Sequence, residues 1–207
     1  MKIVIYIAHV DDDVIFCGGT IAKLSMCNEV YIVYASNGII VHGRPGLNLR
    51  EEAFRSGNIL GIQKENIKFL NIPTMEFESY GQLSLNMRFE ALKLEPDLII
   101  THARNDVNKD HKIVFESALV QARSYKKPVS IISCEYIGNG GQFHLNMYVD
   151  ITETMEKKIE ALKQIKCELC DPPHPRSLEA IRSKAFVRGT ECGCNYAEAF
   201  EVIKWIT

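Results

Sequence analysis

The sequence predicts an α/β fold, a three-layer α/β/α domain around a mostly parallel sheet of strand order 3-2-1-4-5 plus later strands. Two observations carry the prediction. Apolar runs of strand length alternate at short spacing with helical patterns through the first two thirds of the chain, which is the signature of βαβ units. The first of these runs is continuously apolar rather than alternating, as expected of a parallel strand buried on both faces.

In chain order, KIVIYIA (2–8) is the first strand and IFCGGTIAKLSM (15–26) a helix whose glycines permit close approach at its start. VYIVYAS (30–36) is the second strand, followed by a polar, Gly-rich loop over 37–48. Asn48 with Glu51 reads as a capping-box variant opening the helix LREEAFRSGNILG, which Gly61 stops. IKFLNI (67–72) is the third strand, MRFEALKLE (87–95) a helix, DLIITH (97–102) the fourth strand, HKIVFESALVQARSY (111–125) a helix and VSIISCEYI (129–137) the fifth strand. After about residue 145 the pattern changes. MYVDIT (147–152) is one more strand, and helices follow at 154–165 and 177–189, separated by the Pro-rich hinge DPPHPRS. The tail NYAEAFEVIKWI is expected to pack back on the core. The loops at 37–48, 73–83 and 138–146 would form pocket rims. No repeat, low-complexity segment or linker divides the chain, so residues 1–207 read as a single domain.

Composition excludes several function classes. A net charge of −2 gives no basis for a nucleic-acid or anionic-membrane partner. No apolar run approaches the roughly 20 residues of a membrane span. The start, MKIVIYIAH, lacks a small-residue cleavage site and runs straight into aspartates, so it reads as a strand and the protein is expected to be cytoplasmic. Seven scattered cysteines argue for reduced thiols. Cys167 and Cys170 form a CxxC, and Cys192 and Cys194 a CxC. Together they could make a four-thiolate zinc site, although the second pair lacks the usual spacing and small apolar filling of a helix end is the alternative.

In an open α/β sheet, ligands bind outside the carboxyl ends of the strands, where the winding reverses. With order 3-2-1-4-5, that crevice opens between strands 1 and 4. Strand 1 ends in His9-Val10-Asp11-Asp12-Asp13, and strand 4 ends in His102 followed by ARNDVNKDH, residues 103–111. The two densest clusters of histidine and carboxylate therefore converge there. His9 and Asp12 can aim at one point from a tight turn, and His111 can complete two imidazoles and a carboxylate. Such a set leaves a position open for water, as catalytic zinc does. Asp11 is placed to act as general base, and Asp13 lies where a helix N-terminus favours negative charge. Two readings compete. The cluster could be a hydrogen-bonded helix cap, or three aspartates could hold Mg²⁺ through water.

AHVDDDVIFCGGTI resembles the AHPDDE signature of the PIG-L/LmbE-like family of metal-dependent N-acetylglucosaminyl deacetylases. PDLIITHARNDVNKDHKIV resembles the family's second motif, LREEAFRSGNILGI its intervening Arg-Glu helix, and YAEAF one bacterial branch. The resemblance covers most of residues 2–125. It implies a Rossmann-like fold, zinc (with Fe²⁺ as the alternative) on His9, Asp12 and His111, Asp11 as base, and hydrolysis of an N-acetyl group on a glucosamine-type sugar or conjugate. The alternatives are an amidohydrolase acting on a different amide and a non-catalytic module binding a metal or nucleotide-sugar. The resemblance also implies substrate contact by Arg50 and a supporting position for Asp13; read from their own chemistry, Asp106 with Asn105 could hydrogen-bond sugar hydroxyls, Asn108 could donate a hydrogen bond to substrate, and Asp110 could orient a neighbouring ligand. By analogy with relatives, the chain is expected to be able to form a homo-oligomer. The chain departs from the pattern at Val10 (proline in the family), Asp13 (glutamate) and Asn108, where many members have a carbonyl-polarising histidine; His144 is a candidate substitute. His102 is expected to be structural or to support a ligand from behind, and His42 and His174 carry no assignment.

Overall fold

The computed structural model describes residues 1–36, 38–40, 47–123, 127–136 and 143–207. His42 and most of the 37–48 and 138–146 loops therefore lie outside the described residues. The strands are β1 (Lys2–Ile7), β2 (Glu29–Ser36), β3 (Ile39–Ile40), β4 (Leu47–Asn48), β5 (Ile67–Ile72), β6 (Leu98–Thr101), β7 (Ser130–Cys134), β8 (Met147–Asp150) and β9 (Ala197–Lys204). The helices are α1 (Asp12–Leu24), α2 (Arg50–Ile59), α3 (Phe77–Ala91), α4 (Lys109–Gln121), α5 (Met155–Leu162) and α6 (Leu178–Cys192).

The main sheet runs β5-β2-β1-β6-β7-β9-β8, and β3 with β4 forms a small antiparallel ladder apart from it. The first five sheet strands are parallel and take the expected order; Ile5, for example, lies opposite Ile32 on β2 and Ile100 on β6. β9 then inserts antiparallel between β7 and β8. The tail thus packs back as a full strand that carries the sheet edge outward to β8.

Both faces of the sheet are covered, as continuously apolar strands require. Ile3, Ile5 and Ile7 point to one side with residues of α1, α2, α5 and α6. Val4, Tyr6 and Ala8 point to the other with α3 and α4. Three helix starts differ from expectation by two residues or more. α1 opens three residues early, at Asp12, because Asp12 and Asp13 suit the positive end of the helix. α3 occupies the segment read as a rim loop, as two pieces joined at Gly81, whose φ of 71° and ψ of 159° break the helical period. α4 starts at Lys109, capped by Asn108, whose Oδ1 accepts the Asp110 N–H. At α2 the N-cap is Leu49, while Asn48 Oδ1 accepts the Arg50 N–H.

One buried pair anchors α1 beneath the strand ends. α1 kinks at Cys17 (φ −145°, ψ 24°), and the N–H groups freed at Gly19 and Thr20 donate to the two carboxylate oxygens of Glu198 on β9. Lys158 on α5 neutralises Glu198 at 2.6 Å and also donates to the Ile15 carbonyl. Both side chains are only 4% exposed. Gly19 is required here, because a Cβ would lie 2.7–2.8 Å from Ile151 side-chain atoms. No helix among the described residues is long and apolar enough to cross a membrane.

Candidate active site

β1 ends at Ile7 and β6, its neighbour, at Thr101, so the segments that follow them face one another across the crevice. The first turn is tight. Asp11 takes φ 125°, a left-handed value for a residue with a Cβ, and the His9 N–H donates to Asp12 Oδ2 at 2.8 Å. Such strain costs of order 1–3 kcal/mol and persists where the surrounding structure fixes it. It turns the three aspartates in different directions.

Asp12 points at the histidines. His9 Nδ1 lies 3.3 Å from Asp12 Oδ2, His111 Nε2 lies 3.4 Å from the same oxygen, and the two nitrogens are 3.3 Å apart. Ligands at about 2.0–2.1 Å around a tetrahedral ion stand about 3.3–3.4 Å from one another. The three atoms thus form a face of the right size for such an ion, and the donor set fits a divalent metal with a position left open.

Each imidazole has a carboxylate on its other nitrogen. His9 Nε2 meets Asp110 Oδ2 at 2.9 Å, and His111 Nδ1 meets Asp106 Oδ2 at 2.7 Å. That pairing fixes ring orientation and tautomer, as it does around metal-bound histidines. Burial disfavours both charged rings, but Asp110 and Asp12 outweigh it at His9, which is pushed up to about 10. Asp12 and Asp106 likewise carry His111 up to about 9. Asp12 is held well below the usual carboxylate range, the histidines overcoming its burial.

His102, expected to be structural or to support a ligand, is 1% exposed and stacks on His111 with ring centres 3.9 Å apart. Its Nε2 accepts the Ala8 N–H at 2.8 Å, tying the two strand ends together. Burial, then the neighbouring His111, push it down to about 3, so the ring is neutral. Among the described residues a second group, His102, Asp106 and His111, also approaches closely enough for a metal. Its His102 Nε2 and Asp106 Oδ2 are already committed to Ala8 and His111.

The other aspartates differ. Asp11 is 3% exposed, and its Oδ2, without a hydrogen-bond partner, lies 3.3 Å from Arg176 Nη1. Burial and Asp12 push its carboxyl well up, opposed by Arg176. Asp13 is fully buried and pushed up to about 7 by burial, moderated by the Tyr34 hydroxyl. The three aspartates thus have different partners, and of them only Asp12 belongs to a metal-capable group among the described residues. Among the same residues, neither such group contains a cysteine.

A cavity of about 500 Å³ opens over this centre, with His9, Asp11, Asn108, Asp110, Glu168 and Arg176 in its walls. Asn108, expected against substrate, and Asp110, expected to support a ligand, both line it, although Asn108 spends its Oδ1 on the α4 cap and can offer a ligand its amide N–H groups. Asp106, expected against substrate, is instead 4% exposed behind His111 and takes the Asn108 N–H on its other oxygen. Arg50 stacks on Phe69 at 4.6 Å and bonds to Asn71, and is not among the lining residues. His144 is exposed and outside the lining as well. Arg176 and Glu168, paired with each other, were missed because the Pro-rich segment around them carries no periodic signal.

Comparison with known proteins is consistent with this architecture. The family model for PIG-L, described as GlcNAc-PI de-N-acetylase, matches residues 4–122. A search of curated protein sequences gave no match. Among solved structures, N,N'-diacetylchitobiose deacetylase from Pyrococcus horikoshii, in complex with its inhibitor MPG, is similar over 98% of this chain and 83% of its own, with TM-score 0.80 and 24% identity. The 4-carboxy-2-hydroxymuconate hydratase GalB from Pseudomonas putida KT2440 aligns over 100% and 96%, with TM-score 0.73 and 20% identity. The zinc inhibited form of teicoplanin deacetylase Orf2 aligns over 97% of each chain, with TM-score 0.73 and 13% identity. At these identities the likeness fixes the fold, on which both deacetylases and a hydratase are built.

Proposed function

The chain belongs to the PIG-L family and is by that membership an N-deacetylase of the hydrolase class; on that premise we propose that it removes the N-acetyl group from a glucosamine-type sugar or its conjugate, with Asp11 as general base. His9, Asp12 and His111 would hold a divalent metal, zinc or ferrous iron. The observation that carries this reading is the triangle of 3.3, 3.3 and 3.4 Å between His9 Nδ1, Asp12 Oδ2 and His111 Nε2.

When bound, a divalent metal supplies Lewis-acid polarisation of the acyl oxygen and lowers the pKa of water at its open position. The chain's own residues do the rest. Asp11 Oδ2, with no hydrogen bond of its own, can accept the proton of the attacking water, and its raised proton affinity suits that role. The same carboxyl can then return the proton to the departing amine. Arg176 holds Asp11 in place and brings positive charge to the cavity wall. Asn108 can donate an amide N–H to the acyl oxygen, the position at which other family members carry a histidine. Glu168 and the Glu78–Lys109 ion pair line the cavity with polar groups suited to sugar hydroxyls.

The test is to strip the protein of metal, reload it with zinc or ferrous iron, and screen acetate release over a panel of N-acetylated sugars. Both metals belong in the screen because zinc inhibits one structural neighbour. The expected result is about one metal per chain and acetate release from a glucosamine-bearing substrate. Asp11→Asn should keep the metal and lose turnover; near-full activity in that variant would remove Asp11 as base. Unchanged metal content in His9→Ala would overturn the ligand set.

A further inference from the structure

The turn from α6 into β9 carries two thiols that the deacetylase chemistry leaves unused. Cys192 ends α6 and is exposed, Cys194 is half-buried, and their sulfurs lie 3.5 Å apart. Between them, Gly193 sits at φ 83°, ψ 27°, with open space where a Cβ would project. That left-handed conformation has helical curvature, which brings alternate Cα atoms to about 5.4 Å from the helix radius and rise. Disulfides span Cα separations of about 4.4–6.8 Å.

The turn is already gathered around one acceptor. The Gly189 carbonyl accepts the N–H groups of Gly193 and Cys194 at 2.9 and 3.0 Å, and the Cys192 thiol at 3.6 Å. The Cys194 thiol donates to the Tyr196 carbonyl, which also takes the Ile151 N–H. Both backbone N–H bonds to Gly189 involve no sulfur and are retained if the sulfurs join. Closing the gap to a bond of about 2.05 Å therefore asks for side-chain rotation and the loss of weak thiol hydrogen bonds. The remaining cysteines differ. Cys17 and Cys134 interact but are fully buried, out of reach of a dissolved oxidant. Cys167 and Cys170 are exposed on the other side of the Pro-rich segment.

We propose that Cys192 and Cys194 form a reversible dithiol–disulfide site, oxidised by thiol–disulfide exchange with a low-molecular-weight disulfide. The exposed Cys192 thiolate attacks one sulfur of the small disulfide, forming a mixed disulfide and releasing one small thiolate. The Cys194 thiolate then attacks the Cys192 sulfur, closing the protein disulfide and releasing the second small thiol. The protein loses two protons and two electrons, and the small disulfide takes them up to become two thiols. The inference is independent of the metal site.

The experiment treats the native protein with excess glutathione disulfide, quenches by alkylation, and reads intact mass and peptide maps. The expected result is loss of two hydrogens, mapped to 192–194 and reversed by dithiothreitol. Cys194→Ser should instead accumulate a stable glutathione adduct on Cys192, and a Cys167→Ser/Cys170→Ser protein should still close the ring. A stable glutathione adduct on Cys192 of the unmodified sequence, loss of two hydrogens that survives in Cys192→Ser, or no reaction at this turn would each overturn the proposal.

Discussion

Asp106 gives the sharpest test of the site, because sequence and structure assign it different work. Read from the sequence it contacts substrate; in the structure it lies behind His111, 2.7 Å from Nδ1 and 4% exposed. Removing the carboxylate that orients a metal-bound imidazole costs about 10–100-fold in metal affinity, or about 1.4–2.8 kcal/mol. Asp106→Asn keeps the shape and one acceptor, so it should fall near the 10-fold end. Asp106→Ala also strands the Asn108 N–H, which donates to Asp106 Oδ1 at 2.9 Å, and should approach 100-fold. The measurement is competition against a chromophoric chelator at fixed pH, with circular dichroism to establish that both variants fold. At saturating metal, the KM for sugar should stay near that of the unmodified protein. A folded Asp106→Ala that binds metal normally yet raises KM would refute this reasoning and return Asp106 to the substrate.

Three further outcomes follow from the same geometry. Glu198→Gln leaves Lys158 buried without its counter-charge and should cost about 3–5 kcal/mol in urea unfolding, while Lys158→Met with Glu198→Gln should recover part of it; a loss below about 1 kcal/mol in the single variant contradicts the role of the pair. In the metal-free protein His9 and His111 titrate near 10 and 9, above the unfolded value of about 6.5. Their contribution to stability is therefore complete below about pH 6.5 and lost as pH rises through 9 to 10. A metal must displace both protons, so affinity should rise with pH, and calorimetry near pH 7 in two buffers should report release of about two protons; release near zero sinks the assignment. Gly19→Ala should destabilise by about 1–3 kcal/mol, read from the thermal midpoint, because its Cβ meets Ile151 at 2.7 Å.

The parallel half of the fold was legible because its signals are local. β1, β2, β5, β6 and β7 are short apolar runs, and burial on both faces leaves such runs no other place in a small domain. The tail was harder. β9 pairs with β7 and β8 through contacts distant in sequence, and nothing in AEAFEVIK specifies an insertion between them. A carboxylate at Glu198 within a buried run was the available clue, since such a charge needs a partner, and Lys158 on the buried face of α5 supplies it. α3 was half missed because Gly81 splits its period, leaving Phe77 to read as loop although it is fully buried.

The site divides along the same line. His9, Asp12 and His111 could be paired from sequence because strand order alone brings the ends of β1 and β6 together, and each cluster is compact along the chain. What strand order does not determine is which carboxylate stands behind which ring. Asp106 and Asp110 are four residues apart around the start of α4, yet one serves His111 and the other reaches across to His9. That choice is made by the turn at 102–108, whose Asp106 accepts the Asn108 N–H while Asn108 accepts the Asp110 N–H. Asn108 is thus a hinge of the site as well as a wall of it: its side chain fixes the pitch at which α4 delivers both Asp110 and His111. A histidine at this position could polarise a substrate, but its side chain has no amide oxygen with which to accept the Asp110 N–H in the same way. The chain's departure from the family pattern therefore coincides with a cap that sets where Asp110 and His111 stand.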